Sequence, residues 1–199
     1  AVIATRDVRK SINVLHEEFF ETSYKQINLF ITGTGNVGAK LLGQLQQQLG
    51  FLQDHLHLQV NITGLSNSRK MLIKEDGIGL ADWKSQLDAG ENANLQQFVE
   101  EIISRNLRNS IFVDVTASDK VAAVYATLLE KSISVVACNK VAASSAYSNY
   151  KNLKDLARAY NAQFLFETNV GAGLPIIATL NDLISSGDKI HRMQAVLSG

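Results

Sequence analysis

The sequence predicts an α/β fold, a Rossmann-type doubly wound, mostly parallel sheet with helices on both faces. Three observations predict it. Short apolar runs suited to buried strands alternate with longer stretches whose apolar residues recur at helical spacing. The first such run, Ile27 to Ile31, ends in the turn Gly33-Thr34-Gly35-Asn36-Val37-Gly38. Two later runs, Ile111 to Val115 and Ile133 to Cys138, each break off at a polar cluster. That is the pattern of parallel strands whose carboxyl ends face a ligand.

Val8, Ile12, Leu15 and Phe19 make an amphipathic stripe, so residues 1–25 read as a helical lead-in. The run Ile27 to Ile31 is short and flanked by glycines, which suits a buried parallel strand. Val37, Leu41, Leu42, Leu45 and Leu49 follow at helical spacing, closing at Gly50. Leu58 to Leu65 alternates and reads as the second strand, while residues 66–93 carry no clear period. Leu95, Phe98, Val99, Ile102, Ile103 and Leu107 form the next helix stripe, before the strand Ile111 to Val115. Asp119 is placed to cap a helix carrying Val121, Val124, Tyr125 and Leu128, followed by the strand Ile133 to Cys138. Tyr150, Leu153, Leu156, Ala157 and Tyr160 predict a helix ahead of the strand Phe164 to Phe166. Past Gly171 and Gly173, Pro175 suits a first helical turn, with Ile176, Leu180, Leu183 and Ile184 as the buried face. The domains expected are this lead-in, a dinucleotide-binding unit at 26–170, and the start of a further domain at 171–199.

Composition removes several function classes. With 46% hydrophobic and 19% charged residues, the 199-residue chain can bury a core and carries no disordered tract. Nineteen basic residues balance nineteen acidic ones, so no net field draws it to nucleic acid or an anionic membrane. No apolar run approaches the roughly 20 residues that span a bilayer. The single Cys138 forms no internal disulfide and the four histidines lack zinc spacing, which points to a reducing, cytoplasmic setting. The chain starts at Ala and stops after Leu197-Ser198-Gly199, and reads as a piece of something longer.

The glycine turn is where a ligand is expected. Gly33 permits a tight turn off the strand, Gly35 admits a pyrophosphate close to the backbone, and Gly38 lets the helix pack near the strand. Phosphates would then rest on free N–H groups of Asn36, Val37 and Gly38 at the helix's positive end, beside Thr34. A strand before the motif and an apolar helix after it are the context that a dinucleotide site requires. The second strand ends in Ser66-Asn67-Ser68-Arg69-Lys70, with no carboxylate for a ribose 2′-hydroxyl. Arg69 suits a 2′-phosphate, with Ser66 or Ser68 donating, so NADP is expected ahead of NAD. The alternative is a solvated turn with two surface charges.

Three further strand ends stand out: Asp114-Val115-Thr116-Ala117-Ser118, Cys138-Asn139-Lys140, and Glu167-Thr168-Asn169-Val170-Gly171-Ala172-Gly173-Leu174-Pro175. Together with the glycine turn, these segments resemble homoserine dehydrogenase from Ile27 to Gly199. Arg6 to Phe20 further resembles the junction of fused aspartokinase–homoserine dehydrogenases.

The resemblance implies reversible reduction of L-aspartate 4-semialdehyde to L-homoserine by NAD(P)H, on the way to threonine and methionine. It makes Lys140 the catalytic lysine of this half, where its ammonium would stabilise a developing alkoxide and supply a proton, helped by partial burial. Thr116 matches the position near the nicotinamide, with Ser118 beside it. Glu167 and the carbonyls of Val170, Ala172 and Leu174 match a loop holding a monovalent cation, sodium being the usual one; oxygen donors suit such an ion. Cys138 reads as a small buried apolar residue. The family's substrate-binding domain would follow residue 199, so this chain is expected to bind cofactor with little turnover. An upstream aspartokinase and homo-oligomerisation are implied for the full protein. Three other readings remain open: a non-catalytic dinucleotide sensor, a regulatory or assembly module of the kinase that binds no cofactor, and another small-substrate dehydrogenase.

Overall fold

The computed structural model describes residues 24–196 together with residues 4, 8, 11, 12 and 15. Of the expected lead-in helix, Val8, Ser11, Ile12 and Leu15 carry helical backbone, with Val8, Ile12 and Leu15 exposed. Phe19 lies outside the described residues.

Seven strands form one sheet among the described residues, in the order β4-β3-β2-β1-β5-β6-β7. They are β1 (Lys25–Thr32), β2 (Leu58–Ser66), β3 (Lys70–Ile73), β4 (Glu91–Asn92), β5 (Ser110–Asp114), β6 (Ser134–Ala137) and β7 (Phe164–Leu165). Strand β1 pairs in parallel with both β2 and β5, and the parallel run continues through β6 to β7. Strands β3 and β4 pair antiparallel and fill the stretch that carries no legible period. The helices are α1 (Asn36–Leu56), α2 (Trp83–Asp88), α3 (Leu95–Arg105), α4 (Asp119–Ala122), α5 (Tyr125–Leu129), α6 (Val141–Ser144), α7 (Tyr147–Ala159) and α8 (Ile177–Ser185).

Alternation along β1 explains the two faces. Phe30 joins one cluster with Phe98, Ile102, Phe112, Tyr125, Leu128 and Phe164, beneath α3, α5 and α7. Leu29 and Ile31 join the other with Leu42, Ile62, Leu65, Leu87 and Val113, beneath α1 and α2. A strand buried on both sides must be apolar at successive positions, which is why Leu29 to Ile31 reads as a continuous run.

Five local expectations are corrected. Helix α1 continues through Gly50 to Leu56 and ends at His57, in the left-handed region, whose N–H donates to the Leu52 carbonyl. A glycine inside a helix costs only about 1 kcal/mol, and the Phe51 and His55 rings stack across one turn with centroids 4.6 Å apart. Asp119 is the first helical residue rather than the cap; Ser118 holds the cap position without a side-chain capping bond. The expected single helix there is two short ones, because Val124 N–H bonds back three residues to the Val121 carbonyl. Pro175 lies ahead of α8 instead of in its first turn, and α8 has no buried residue, with Leu183 and Ile184 exposed. Cys138 lies just past the end of β6 and is half-buried.

The core sets one quantitative expectation. A Cβ at Gly64 would lie 2.7 Å from Phe30 Cδ1 and 3.1 Å from Phe98 Cζ, between two rings with no exposed surface. Gly64→Ala should therefore lower unfolding free energy by about 1–3 kcal/mol through overpacking, read from the midpoint of chemical denaturation. An unchanged midpoint would mean that the rings yield freely.

Candidate functional site

The strand order reverses between β1 and β5, so a crevice opens above their carboxyl ends. Its volume is about 660 Å³. Gly33, Thr34, Gly35, Ser66, Thr116 and Ser118 all line it, joined by Thr32, Asn67, Ser68, Ala93, Leu95, Val115, Lys120 and Val121. Seven residues given a ligand role from the sequence, Ser68 among them, therefore line one crevice; Asn36, Val37 and Gly38 stand behind it at the start of α1.

The turn is built by close contact. Gly33 adopts φ +100°, and a Cβ there would lie 2.8 Å from the Val115 carbonyl oxygen. At Gly38 a Cβ would lie only 2.0 Å from the Gly33 carbonyl oxygen, so helix α1 starts against the turn itself. The first helical bond runs from Ala39 N–H to the Gly35 carbonyl. The N–H groups of Asn36, Val37 and Gly38 therefore have no acceptor within the helix. No acidic residue sits in that first turn, so the positive end of a 21-residue helix is open to an anion. A Cβ at Gly35 would meet nothing within 4 Å, which leaves backbone open to a ligand. Thr32, 4% exposed, keeps its Oγ1 buried without a hydrogen-bond partner among the described residues. Free amides, an open backbone and an orphaned hydroxyl fit a dinucleotide diphosphate.

The β2–β3 turn is shaped by Asn67, a residue to which the sequence reading gave no role. Its Oδ1 accepts from the N–H groups of Arg69 and Lys70, both at 2.8 Å, and its Nδ2 donates to Thr34 Oγ1 at 3.2 Å. An Asn that closes a turn onto following amides is a recognisable sequence signal; its reach across to the glycine turn is not. Arg69 is exposed on this turn and does not line the crevice. Its side chain makes no hydrogen bond or ion pair among the described residues. Lys70 instead donates to the Gly90 carbonyl at 3.0 Å. Lys120 does line the crevice, a cation that helical periodicity alone could not place there.

At the next strand ends the side chains interlock. Asp114, fully buried, accepts from Thr116 N–H at 2.7 Å on Oδ1. Its Oδ2 accepts from the Tyr125 hydroxyl at 2.5 Å and from Asn139 Nδ2 at 3.0 Å. Burial, and then the carboxylate beside it, push the Tyr125 phenol well above its ordinary range, so it remains a donor. Asn139 Nδ2 also donates to the Ser118 carbonyl at 3.0 Å, and Thr116 Oγ1 accepts from Ser118 N–H at 3.1 Å. A lone carboxylate in an apolar strand was the available signal for this cluster, since charges are almost never fully buried without partners.

Lys140 follows Asn139 at the end of β6 and is exposed, contrary to the partial burial expected of it; it does not line the same crevice. Glu167 caps helix α8, its two oxygens accepting from Ile177 N–H at 2.8 Å and Ala178 N–H at 2.7 Å. Gly171 and Ala172 take consecutive positive φ values of 71° and 51°. The Leu174 carbonyl accepts from Ile176 N–H. No hydrogen bond reaches the Val170 or Ala172 carbonyl among the described residues.

No helix among the described residues is long and apolar enough to cross a membrane, and they hold no cluster of three His, Cys, Asp or Glu suited to a metal ion.

The chain is similar to known proteins. Residues 33–167 match the family described as homoserine dehydrogenase, NAD binding domain. The chain is similar over its whole length to the chloroplastic bifunctional aspartokinase/homoserine dehydrogenase 2 of Arabidopsis thaliana, at 36% identity, and spans 22% of that protein. It is 31% identical over 179 residues to the homoserine dehydrogenase of Schizosaccharomyces pombe, covering 89% of this chain and 48% of that one. A hyperthermophilic archaeal homoserine dehydrogenase solved in complex with NADPH superposes with a TM-score of 0.63 at 26% identity, covering 78% of this chain and 48% of its own.

Closing the gap at Gly38 should be felt by a bound dinucleotide. Gly38→Ala must push the helix start away from the turn, and NAD(P)H affinity should fall roughly tenfold or more, as expected for losing charge-assisted bonds to a phosphate. Fluorescence titration of the reduced cofactor checks this, and full retention of affinity would dissociate the turn from binding.

Proposed function

This chain belongs to the homoserine dehydrogenase family, with residues 33–167 as its NAD-binding domain, and from that premise we propose that it holds NADPH for the interconversion of L-aspartate 4-semialdehyde and L-homoserine. One observation carries the reading: a single crevice at the switch point of the sheet gathers the glycine turn with Ser66, Thr116 and Ser118.

When bound, the dihydronicotinamide supplies the hydride. The chain's own residues do the rest. The amides of Asn36, Val37 and Gly38 hold the diphosphate, with the Thr34 hydroxyl beside it. Arg69, exposed and unengaged on the β2–β3 turn, takes the 2′-phosphate together with Ser66 or Ser68, which favours NADPH over NADH. Thr116 and Ser118 bound the nicotinamide side. Lys140 holds a proton for the oxygen of the aldehyde as it becomes an alkoxide, and its charge stabilises that oxygen meanwhile.

Exposure limits what Lys140 does here. A charge acting through water is worth far less than one in an enclosed site, so the lysine needs further polypeptide around it. In this reading residues 171–199 begin the substrate-binding domain, which supplies the enclosure, and the chain alone binds cofactor with little turnover. The loop from Glu167 to Leu174 adds a monovalent cation, sodium by preference, through the Val170 and Ala172 carbonyls and whatever capacity Glu167 and Leu174 retain beyond their own hydrogen bonds. An aspartokinase in the same polypeptide, an activity that the plant relative's name gives for that protein, placed upstream, and homo-oligomerisation of the full protein complete the proposal.

Two substitutions test it. Arg69→Ala should weaken NADPH roughly tenfold or more and leave NADH unchanged, since only the phosphorylated cofactor loses a charge-assisted bond; equal loss for both removes Arg69 from the site. In a form of the protein that turns over, Lys140→Ala should lower kcat by about 10²–10⁴ while NADPH affinity stays within a few-fold. A kcat near wild type would refute its role.

A further inference from the structure

Asp114 is 0% exposed and makes no ion pair among the described residues. Its neighbours in β5 are Ile111, Phe112 and Val113, so packing alone would be served by another apolar residue. Burying a carboxylate without a cation is expensive, and this one is tolerated because three donors converge on it: Thr116 N–H, the Tyr125 hydroxyl and Asn139 Nδ2. Each donor belongs to a different piece of the fold. Thr116 follows β5, Asn139 follows β6, and Tyr125 opens helix α5 in the core beneath them.

The connections run outward from there. Asn139 Oδ1 accepts from Val141 N–H at 3.1 Å, the first residue of α6, so the amide brackets Lys140. The Asn139 carbonyl accepts from Asn169 Nδ2 at 3.2 Å, which fixes the same dipeptide from the 3-10 turn beyond β7. On the other side, Val115 N–H donates to the Thr32 carbonyl, linking the Asp114 segment to the glycine turn.

We propose that Asp114 is a positioning residue for the nicotinamide half of the site: its carboxylate, anchored by Tyr125, holds the Thr116 backbone at the crevice and the Asn139–Lys140 pair beyond β6 in fixed relation to each other. This rests on the cofactor reading above. It does not extend to the adenosine half, which the β2–β3 turn and Asn67 shape independently.

Asp114→Asn separates these halves. The new amide keeps an acceptor for Thr116 but presents a donor to Asn139 Nδ2. Turning the Asn139 amide over to accept it would place a donor against Val141 N–H and release the start of α6 next to Lys140. In the folded variant, NADPH affinity should fall about tenfold, the loss expected when a hydrogen bond to a charged group is removed. Affinity for adenosine 2′,5′-bisphosphate, which has no nicotinamide, should stay within about twofold on the same scale. The emission of bound NADPH should move toward that of the free cofactor. Tyr125→Phe keeps the charge and loses one donor; it should show the same selectivity at smaller amplitude and decides the matter if Asp114→Asn does not fold. Equal losses for the two ligands, or no loss for either in folded protein, overturn the inference. Failure of the unmodified chain to bind either ligand overturns the cofactor reading instead.

Discussion

The crevice is organised around how closely the first turn of α1 approaches the end of β1. The two backbones touch at Gly38 and Gly33, where a single added carbon would sit 2.0 Å from a carbonyl oxygen. The helix that starts there has three N–H groups without a helical acceptor and no carboxylate in its first turn to compete for them. Gly33 is pressed from its other side by Val115 and Thr116, so the turn is also what brings β5 into the site. Strand order, helix dipole and ligand chemistry meet at one point of van der Waals crowding.

Polar side chains then act as splints between segments that the sheet alone would leave loose. Asn67 ties the β2–β3 turn to Thr34, and Asp114 ties the ends of β5 and β6 to each other. Both use amide or carboxylate groups with their hydrogen bonds filled inside the protein, and a buried network is worth its desolvation only when every member is satisfied. Thr32 Oγ1 and Asn169 Oδ1 are the buried side-chain oxygens of this region left without a partner among the described residues. The first of them lines the crevice.

How much of this can be read from the chain itself differs from element to element. The parallel strands and the helices α1, α3 and α7 are legible because burial on one face imposes a period. The glycine turn is legible because each glycine answers a separate steric demand. Strands β3 and β4 are not, since two to four residues are too few to show alternation; the Asn67 turn is what folds β3 back on β2. Gly50 misleads because a mid-helix glycine costs only about 1 kcal/mol, too little to end a helix that continues to a left-handed cap at His57. The family resemblance reached Thr116 and Lys140 by position in the chain, yet Asp114 and Asn139, which fix the backbone of both, were quoted in the motifs without a role. Their partners are 11 and 25 residues away from Asp114 in sequence, beyond any local pattern.

The two margins of the sheet are both very short: Glu91–Asn92 on one side and Phe164–Leu165 on the other. A two-residue margin exposes few unpaired backbone groups, and one of these carries a glutamate, so both are poor templates for a foreign strand. What this domain chiefly presents to its surroundings is therefore the side chains of its helices and loops, with little bare hydrogen-bonded ribbon at either margin.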